Sequence, residues 1–135
     1  MTCVESGSVT EREINILADR LFAAIEAGDL EAVAACYADD AVIWHNTDQA
    51  DQHKADNLQV LSWLVGHTAV RSYRDIRRTV IDHGFVQQHS LHLGFDDGRT
   101  ADLPACLVVA VADELIVRID EYLDGAAVEA TFGRS

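Results

Sequence analysis

Hydrophobic residues recur along the chain with two different periods, and the period changes near residue 66. Before that point, apolar side chains return every three or four positions, which is typical of amphipathic helices. After it, they alternate with polar side chains, which is typical of half-buried strands. The pattern therefore predicts an α+β fold in which three helices come first and pack on one face of a strongly curved sheet of antiparallel strands.

The first two helices have recognisable ends. Thr10 and Glu13 have the spacing of a capping box, so the first helix is predicted to begin there and to end at Gly28. Asp29 can cap a second, short helix. Its apolar positions recur up to Tyr37, and this spacing turns the Tyr37 side chain toward the interior.

A strand at 41–46 and a polar loop at 47–52 come before a third helix, which is predicted to reach about Val65 and to stop at Gly66. Four alternating segments then predict four strands, at 70–82, 85–95, 101–112 and 115–124. The single proline, Pro104, indicates an edge, a bulge or a bend in the third of them.

The size and composition of the chain are those of a globular protein with its own core: 135 residues, 49% hydrophobic and 24% charged. We expect a flexible leader over residues 1–9 and one domain over residues 10–135. The longest apolar run, 105–112, is too short to cross a bilayer, and the N-terminus lacks the pattern of a signal peptide. These features predict a cytoplasmic protein without a membrane partner.

A formal net charge of −13 opposes binding to phosphate backbones, so a nucleic-acid partner is not expected. Four arginines are split between the two faces of one predicted strand, and we interpret them as solvated or at a dimer interface: Arg71, Arg74, Arg77 and Arg78. The three cysteines are far apart, and no histidine–carboxylate spacing is typical of a metal site. No metal is therefore expected.

The last predicted strand carries a carboxylate in its apolar face. Glu121 alternates with four aliphatic residues: Leu115, Val117, Ile119 and Leu123. The opposite face is partly wet and holds Ile116, Arg118, Asp120, Tyr122 and Asp124. A carboxylate among aliphatic side chains is costly unless it is paired, protonated or facing a polar cavity. Glu121 is therefore either a hydrogen-bonded structural residue or a functional acid or base.

The strand 85–95 repeats this pattern. Its more apolar face holds Gln87 and His89 beside four large apolar residues: Phe85, Leu91, Leu93 and Phe95. That face should pack against the helices, so two strands present Gln87, His89 and Glu121 to the same interior. Two interpretations follow, a satisfied buried network or a pocket with perturbed acid–base groups.

The first strand adds Trp44 and Asn46 on one face and His45 on the other. Structural roles would explain all three, as a core aromatic, a strand-end cap and a surface residue. His45 and Asn46 can both face inward only if a bulge lies between them.

Two segments resemble the nuclear transport factor 2-like superfamily. Ala27-Gly28-Asp29-Leu30, followed by Tyr37-Ala38-Asp39-Asp40-Ala41, is similar to its signature, and Arg118 to Asp124 resembles its last strand. The superfamily includes SnoaL-type polyketide cyclases, ketosteroid isomerases and limonene-epoxide hydrolases. The resemblance covers about residues 10–128. It implies a cone-shaped α+β roll, a pocket between the helices and the concave sheet face, and a homodimer through the sheet.

The resemblance also implies roles for residues. The trio Trp44-His45-Asn46 is similar to the Tyr-x-Asn of the epoxide hydrolases, which holds the attacking water. Glu121 matches their general base, and Gln87-Gln88-His89 falls on their Arg-x-Asp. Glu121 would then take a proton from a water held by Asn46 while His89 donates one to the leaving oxygen.

This chain departs from that pattern, because Trp44 lacks a hydroxyl, Gln87 lacks a charge and His89 replaces a carboxylic acid. Glu121 and His89 could equally shift a proton without hydrolysis. In the ketosteroid isomerases the catalytic Asp falls at His45, but their oxyanion pair is missing here.

We therefore expect a small cofactor-free acid–base enzyme acting on an apolar molecule. The catalytic residues would be Glu121, His89 and Asn46, and the substrate-binding residues would be Trp44, Gln87, His45 and Tyr37. The alternative is a non-catalytic module of the same fold that binds a hydrophobic ligand or serves for dimerisation.

Overall fold

The computed structural model describes residues 10–133, so the leader expected at residues 1–9 lies outside the described part of the chain. The helices are α1 (Glu11–Ala27), α2 (Leu30–Cys36), α3 (Lys54–His67) and α4 (Gly125–Phe132). The strands are β1 (Tyr37–His45), β2 (Ala50–His53), β3 (Thr68–Ile81), β4 (Gly84–Phe95), β5 (Thr100–Ala112) and β6 (Leu115–Leu123). They form one sheet in the order β2-β1-β6-β5-β4-β3.

Neighbouring strands are antiparallel except for β1 and β6, which run parallel. The helices pack against the sheet, and the predicted α+β class is confirmed. The parallel pair places the end of β1 beside the end of β6, although these segments are far apart in sequence. No helix between residues 10 and 133 is long and apolar enough to cross a membrane.

Helix α1 forms where its caps and its apolar stripe predict it. The Thr10 hydroxyl accepts a hydrogen bond from the Glu13 amide, and the Glu13 carboxylate accepts one from the Thr10 amide, which completes the capping box. Gly28 ends the helix in the left-handed conformation, with φ of 74°. The buried stripe of α1 shares one hydrophobic core with residues of β1, β4, β5 and β6, and it consists of Ile14, Leu17, Ala18, Leu21, Phe22, Ala24 and Ile25.

Two elements were not predicted, and one helix is longer than expected. The loop predicted at 47–52 contains part of β2, which has no apolar alternation and is formed by pairing with β1. Helix α4 follows β6 because the Asp124 carboxylate accepts a hydrogen bond from the Ala126 amide. Helix α3 continues through Gly66 to His67, so Gly66 does not stop it.

A bulge in β3 changes which of its side chains face the interior. Strict alternation predicts Tyr73 and Arg78 on opposite faces, but both face the helices. The register between β3 and β4 shifts between Arg74 and Arg77, and Asp75 lies there with φ of +56°. One extra residue in this stretch exchanges the two faces of the strand.

The same effect corrects the prediction for β6. Ile116 was assigned to its wet face, yet Ile116 is fully buried in the core. The register with β5 shifts between Ala110 and Val111, so Val117 is the extra residue opposite them. Beyond the bulge, Ile119 and Glu121 lie on the inner face as predicted.

Candidate functional site

A cavity of about 260 Å³ lies between the concave face of the sheet and helices α1 and α3. Most of its lining is aliphatic or aromatic. Besides Trp63, whose ring carries one N–H, six lining residues have polar side chains: Tyr37, His45, Asn57, Tyr73, His89 and Glu121. An apolar cavity with a few converging polar groups is the usual form of a small-molecule site.

One side of the cavity is bordered by half-exposed aromatic residues of α3 and α4. Trp63 stacks on His67 with ring centroids 4.2 Å apart, and Phe132 meets the edge of Trp63 at 6.1 Å. Trp63 is 49% exposed and Phe132 is 40% exposed. The cavity therefore has an aromatic border on the solvent side.

A larger groove of about 690 Å³ lies on the outer face of the sheet, lined by residues such as Ile76, Arg77 and Gln88. It is open to solvent along its length. His89 borders both spaces because β4 separates them, but its ring is on the inner side, 4.8 Å from Tyr73 between centroids. Since Glu121 and His45 line only the inner cavity, we place the candidate site there.

His45 and Glu121 form a close pair at the junction of β1 and β6. The two residues are in register across the parallel strands, and His45 Nε2 is 2.9 Å from Glu121 Oε1. Their side chains are 17% and 23% exposed. The hydrogen bond to Glu121 raises the pKa of His45 against the lowering effect of burial. The register shift in β1 lies earlier, between Tyr37 and Val42, so no bulge is found beside His45, and Asn46 does not share its inward orientation.

His89 and Gln87 face the interior from β4, as their alternation predicts. His89 is 6% exposed and Gln87 is fully buried. The Gln87 amide nitrogen is 2.8 Å from His89 Nδ1, and its oxygen accepts a hydrogen bond of 2.7 Å from Arg78 Nε. Burial lowers the pKa of His89, although the Glu121 charge acts in the opposite direction.

Two tyrosines complete the polar lining. The buried Tyr37 hydroxyl donates a hydrogen bond of 2.9 Å to the side-chain oxygen of Asn57, whose amide donates to Gln52. Burial, followed by the Glu121 charge, raises the pKa of Tyr37 and of Tyr73. Both hydroxyls therefore keep their protons and act in the cavity as neutral polar groups.

Asn46 and Trp44 do not line the cavity. The Asn46 amide donates to the Leu123 carbonyl and its oxygen accepts from the Leu123 amide, so it joins the end of β1 to β6. Trp44 is on the outer face of the sheet, where it meets the edge of Tyr122 at 5.4 Å. Side chains alternate along β1, so Trp44 faces outward where its neighbour His45 faces inward. The resemblance implied that Trp44 and Asn46 lie in the pocket, and the structure corrects that placement.

Three residues of this region were not singled out from the sequence as site residues: Asn57, Tyr73 and Arg78. Asn57 is the buried polar residue of α3, and its isolation among apolar positions was a usable signal. The inward orientation of Tyr73 together with Arg78 depends on the β3 bulge. Glycine or asparagine at a position with positive φ often marks a bulge in a sequence, but this position carries Asp75.

The part of the chain that the structure describes contains no group of three or more His, Cys, Asp or Glu residues arranged to hold a metal ion. The chemistry that this lining offers is proton transfer. A carboxylate held by an imidazole, a second imidazole and two neutral phenols surround one apolar space, which is an arrangement suited to general acid–base catalysis.

Solved structures with the same fold cover most of the chain at low sequence identity. A protein named as a SnoaL-like polyketide cyclase from Shewanella denitrificans OS-217 has a TM-score of 0.76 and 13% identity, over 90% of this chain and 96% of that chain. A protein named as an isomerase from Bacillus subtilis has a TM-score of 0.77 and 14% identity, over 92% and 95%. AclR of Streptomyces galilaeus, named as a hydroxylase, has a TM-score of 0.80 and 10% identity, over 93% and 88%.

These names describe three different reactions, so the likeness establishes the fold and leaves the reaction open. No curated protein is detectably similar in sequence. The family model of the SnoaL-like domain matches residues 18–119, from the middle of α1 to the middle of β6. With its α+β roll and interior cavity, the chain belongs to the SnoaL-like domain family.

Proposed function

We propose that this protein is a cofactor-free acid–base enzyme that moves a proton within an apolar, ring-bearing molecule carrying a carbonyl group. Glu121 is the base in this proposal, His45 holds its carboxylate, and His89 meets the substrate oxygen. The observation that carries the proposal is the His45–Glu121 pair, 2.9 Å apart, in an otherwise apolar cavity.

The surroundings of the pair support a proton transfer. Tyr37, Tyr73 and His89 bring neutral polar atoms to the same cavity, while aliphatic and aromatic residues form the rest of its surface. The apolar lining limits the water that can compete with a bound substrate for the Glu121 carboxylate.

The proposed step is balanced without an oxidant or a second reactant. Glu121 takes the hydrogen of a carbon next to the carbonyl, the C–H electron pair becomes the new C=C bond of an enolate, and the negative charge moves to oxygen. Where the enolate is conjugated with a C=C bond, return of the proton to the far end of the conjugated system gives an isomer with a shifted double bond. Alternatively, the enolate carbon attacks a second carbonyl of the same molecule, the π bond of that carbonyl breaks, and the resulting alkoxide takes the proton from Glu121, which leaves a ring.

Hydrolysis of an epoxide, the other reaction implied by the resemblance, receives less support from the contacts. It requires a residue that holds the attacking water beside Glu121. Asn46 was expected to do this, but both ends of its amide are bonded to the backbone of Leu123. Proton transfer within the substrate needs no such water.

The test is proton exchange in D₂O with a panel of cyclic ketones and 1,3-diketones, followed by the loss of the α-proton signals in ¹H NMR. We expect the protein to accelerate exchange, and Glu121→Gln to slow it by about 10²–10⁴-fold. The matched control is Asp102→Asn. Asp102 is also paired with a histidine, His92 at 2.8 Å, but on the outer face, and its loss should leave the rate unchanged.

If the protein were a non-catalytic binding module, the exchange assay would give a different result. The amphipathic dye 1-anilinonaphthalene-8-sulfonate would then bind with its rings in the cavity. Leu91→Trp, which fills part of the cavity, would weaken that binding, but no ketone would exchange faster than in buffer. Exchange that survives Glu121→Gln would also overturn the assignment of the base.

A homodimer through the sheet and a cytoplasmic location stay predictions. Light scattering of the purified protein tests the first, and a single species at the monomer mass of 14.8 kDa would contradict it.

A further inference from the structure

We propose that Arg78, acting through Gln87, holds His89 as a neutral imidazole with its hydrogen on Nε2. His89 then offers this N–H to the cavity as a hydrogen-bond donor for a substrate oxygen. In this assignment Arg78 and Gln87 are positioning residues. The catalytic use of the donor rests on the proposed function, but the protonation state of His89 does not.

The chemistry of the three side chains determines the direction of each hydrogen bond. A guanidinium group only donates, so the Gln87 atom that lies 2.7 Å from Arg78 Nε must be the amide oxygen. The Gln87 amide nitrogen, which also only donates, is therefore the atom 2.8 Å from His89 Nδ1. Nδ1 must accept this bond, so it carries no hydrogen, and the hydrogen of the neutral ring is on Nε2.

Arg78 is itself held in place, which prevents the Gln87 amide from reversing. Its Nη1 donates to the Asp19 carboxylate at 2.9 Å and to the Asn15 side-chain oxygen at 3.1 Å. Its side chain is 12% exposed and lies near the ring of Phe85, 5.6 Å from the ring centroid. Charge-assisted bonds of this kind are stronger than neutral ones, so Gln87 keeps its oxygen toward Arg78.

The other ring nitrogen of His89 faces a different environment. Within residues 10–133, no side chain or carbonyl accepts a hydrogen bond from His89 Nε2, although the ring is 6% exposed and lines the cavity. A buried donor without a partner is costly, so this N–H is expected to meet an oxygen of a bound molecule.

The state of His89 decides its role in the reaction. Its Nδ1 is occupied by Gln87, and the charged groups that approach the ring are Glu121, across the cavity, and Arg78, behind Gln87. A neutral Nε2–H is a weak acid, so it stabilises charge on an enolate oxygen by hydrogen bonding and does not transfer a proton. This narrows the substrate to molecules with an acceptor oxygen at that position and leaves the proton with Glu121.

The experiment uses the whole protein labelled with ¹⁵N-histidine and needs no ligand. Long-range ¹H–¹⁵N correlation spectra over a pH series identify the protonated ring nitrogen of His89, with assignment by comparison with His89→Gln. We expect Nε2 to carry the hydrogen and Nδ1 to be unprotonated at neutral pH. A hydrogen on Nδ1, or a doubly protonated ring, would overturn the proposal in the unchanged protein.

Two matched pairs of variants test the positioning residues. In Gln87→Glu the new carboxylate can only accept, so the hydrogen should move to Nδ1 and the pKa of His89 should rise. Gln88→Glu, which adds the same charge on the outer face of β4, should change neither. Arg78→Met frees the Gln87 amide to reverse and should give a mixture of tautomers, whereas Arg77→Met on the outer face should not.

Unchanged spectra in Gln87→Glu or Arg78→Met would overturn the roles of those residues. The outcomes are separable from those of the exchange assay. If no ketone exchanges but the His89 spectra are as expected, the proposed function fails and the positioning inference stands. If exchange depends on Glu121 but His89 carries its hydrogen on Nδ1, the positioning inference fails and the proposed function stands.

Discussion

The sheet carries two histidine–carboxylate pairs of nearly equal length, one on each face. His45 and Glu121 are 2.9 Å apart on the inner face, and His92 and Asp102 are 2.8 Å apart on the outer face. The two histidine side chains have similar exposure, 17% for His45 and 19% for His92. The carboxylates differ, because Glu121 is 23% exposed and Asp102 is 65% exposed. The pairs differ mainly in how much water reaches the carboxylate.

This difference is enough to separate a candidate catalytic pair from an ordinary surface pair. Water and salt screen the outer carboxylate, so its attraction to His92 is weak. The inner carboxylate is less exposed to solvent, so its bond to His45 is less screened and its loss should cost more. Distance alone therefore does not identify the site, because the two distances are the same within 0.1 Å.

The largest difference between the pairs should appear in turnover. His45→Gln removes the imidazole that is hydrogen-bonded to the Glu121 carboxylate, and we expect it to slow proton exchange by about 10²-fold, at the low end of the range for acid–base groups. His92→Gln makes the same chemical change on the outer face and should leave the rate as it is. Equal losses in the two variants would remove the distinction between the pairs. The measurement is the exchange rate of the ketone that the unchanged protein exchanges fastest.

The second difference is in stability, and it comes from leaving a partly buried carboxylate without its histidine partner. His45→Leu leaves the Glu121 carboxylate partly buried without its partner, and we expect a loss of about 1–3 kcal/mol in the free energy of unfolding. The further change Glu121→Leu removes the unpaired charge and should restore most of that loss. Urea unfolding measures both. A double variant no more stable than His45→Leu would show that the charge is not the cause.

The third difference is the pH dependence of stability, in which the two inner histidines act in opposite directions. The pKa of His45 is raised above its ordinary value of 6.5, so its contribution is fully present below pH 6.5 and is lost as pH rises through the folded-state pKa. The pKa of His89 is lowered, so its contribution is present above pH 6.5 and is lost as pH falls through the folded-state pKa.

Measurements of unfolding free energy against pH can separate the two. The stability difference between the unchanged protein and His45→Gln should shrink as pH rises above 6.5, while that for His89→Gln should shrink as pH falls below 6.5. Parallel curves for the two variants would contradict the assigned shifts.

The smallest effect is expected at the outer pair. Asp102→Asn should change the free energy of unfolding by less than about 1 kcal/mol, because an exposed ion pair gains little over its solvated partners. Any change should diminish further in high salt. A loss as large as that of His45→Leu would mean that exposure does not distinguish the two pairs, and it would remove the basis for choosing the inner one.

Local patterns were sufficient for much of this arrangement. The capping box of Thr10 and Glu13 determines where α1 begins, because its bonds join residues three positions apart. The inward faces of Gln87, His89 and Glu121 follow from the alternation of side chains along a single strand. Each of these features depends on neighbours in the chain, which a sequence displays directly.

The positions of the bulges could not be predicted from the alternation of side chains. At Asp75 and Val117 one extra residue exchanges the faces of a strand, and neither position carries a glycine or asparagine that would announce it. Consequently Ile116 was assigned to the wrong face of β6. For the same reason, the alternation in β3 placed Tyr73 and Arg78 on opposite faces, although both face the interior. A bulge is set by how two strands fit together, so the pattern within one strand does not contain it.

Spacings of a few residues were enough to predict α1 to α3, every described strand except β2, the caps of α1, and the inward placement of one carboxylate and one imidazole on separate strands. The pairing of His45 with Glu121, the bonds of Asn46 to Leu123 and the contact of Arg78 with Gln87 arise instead from the assembled fold. They form because the parallel pairing of β1 with β6 and the bulge in β3 bring together residues from distant or differently phased segments. Hydrogen-bond partners and local solvation, which set the chemistry of each group, exist only after that assembly.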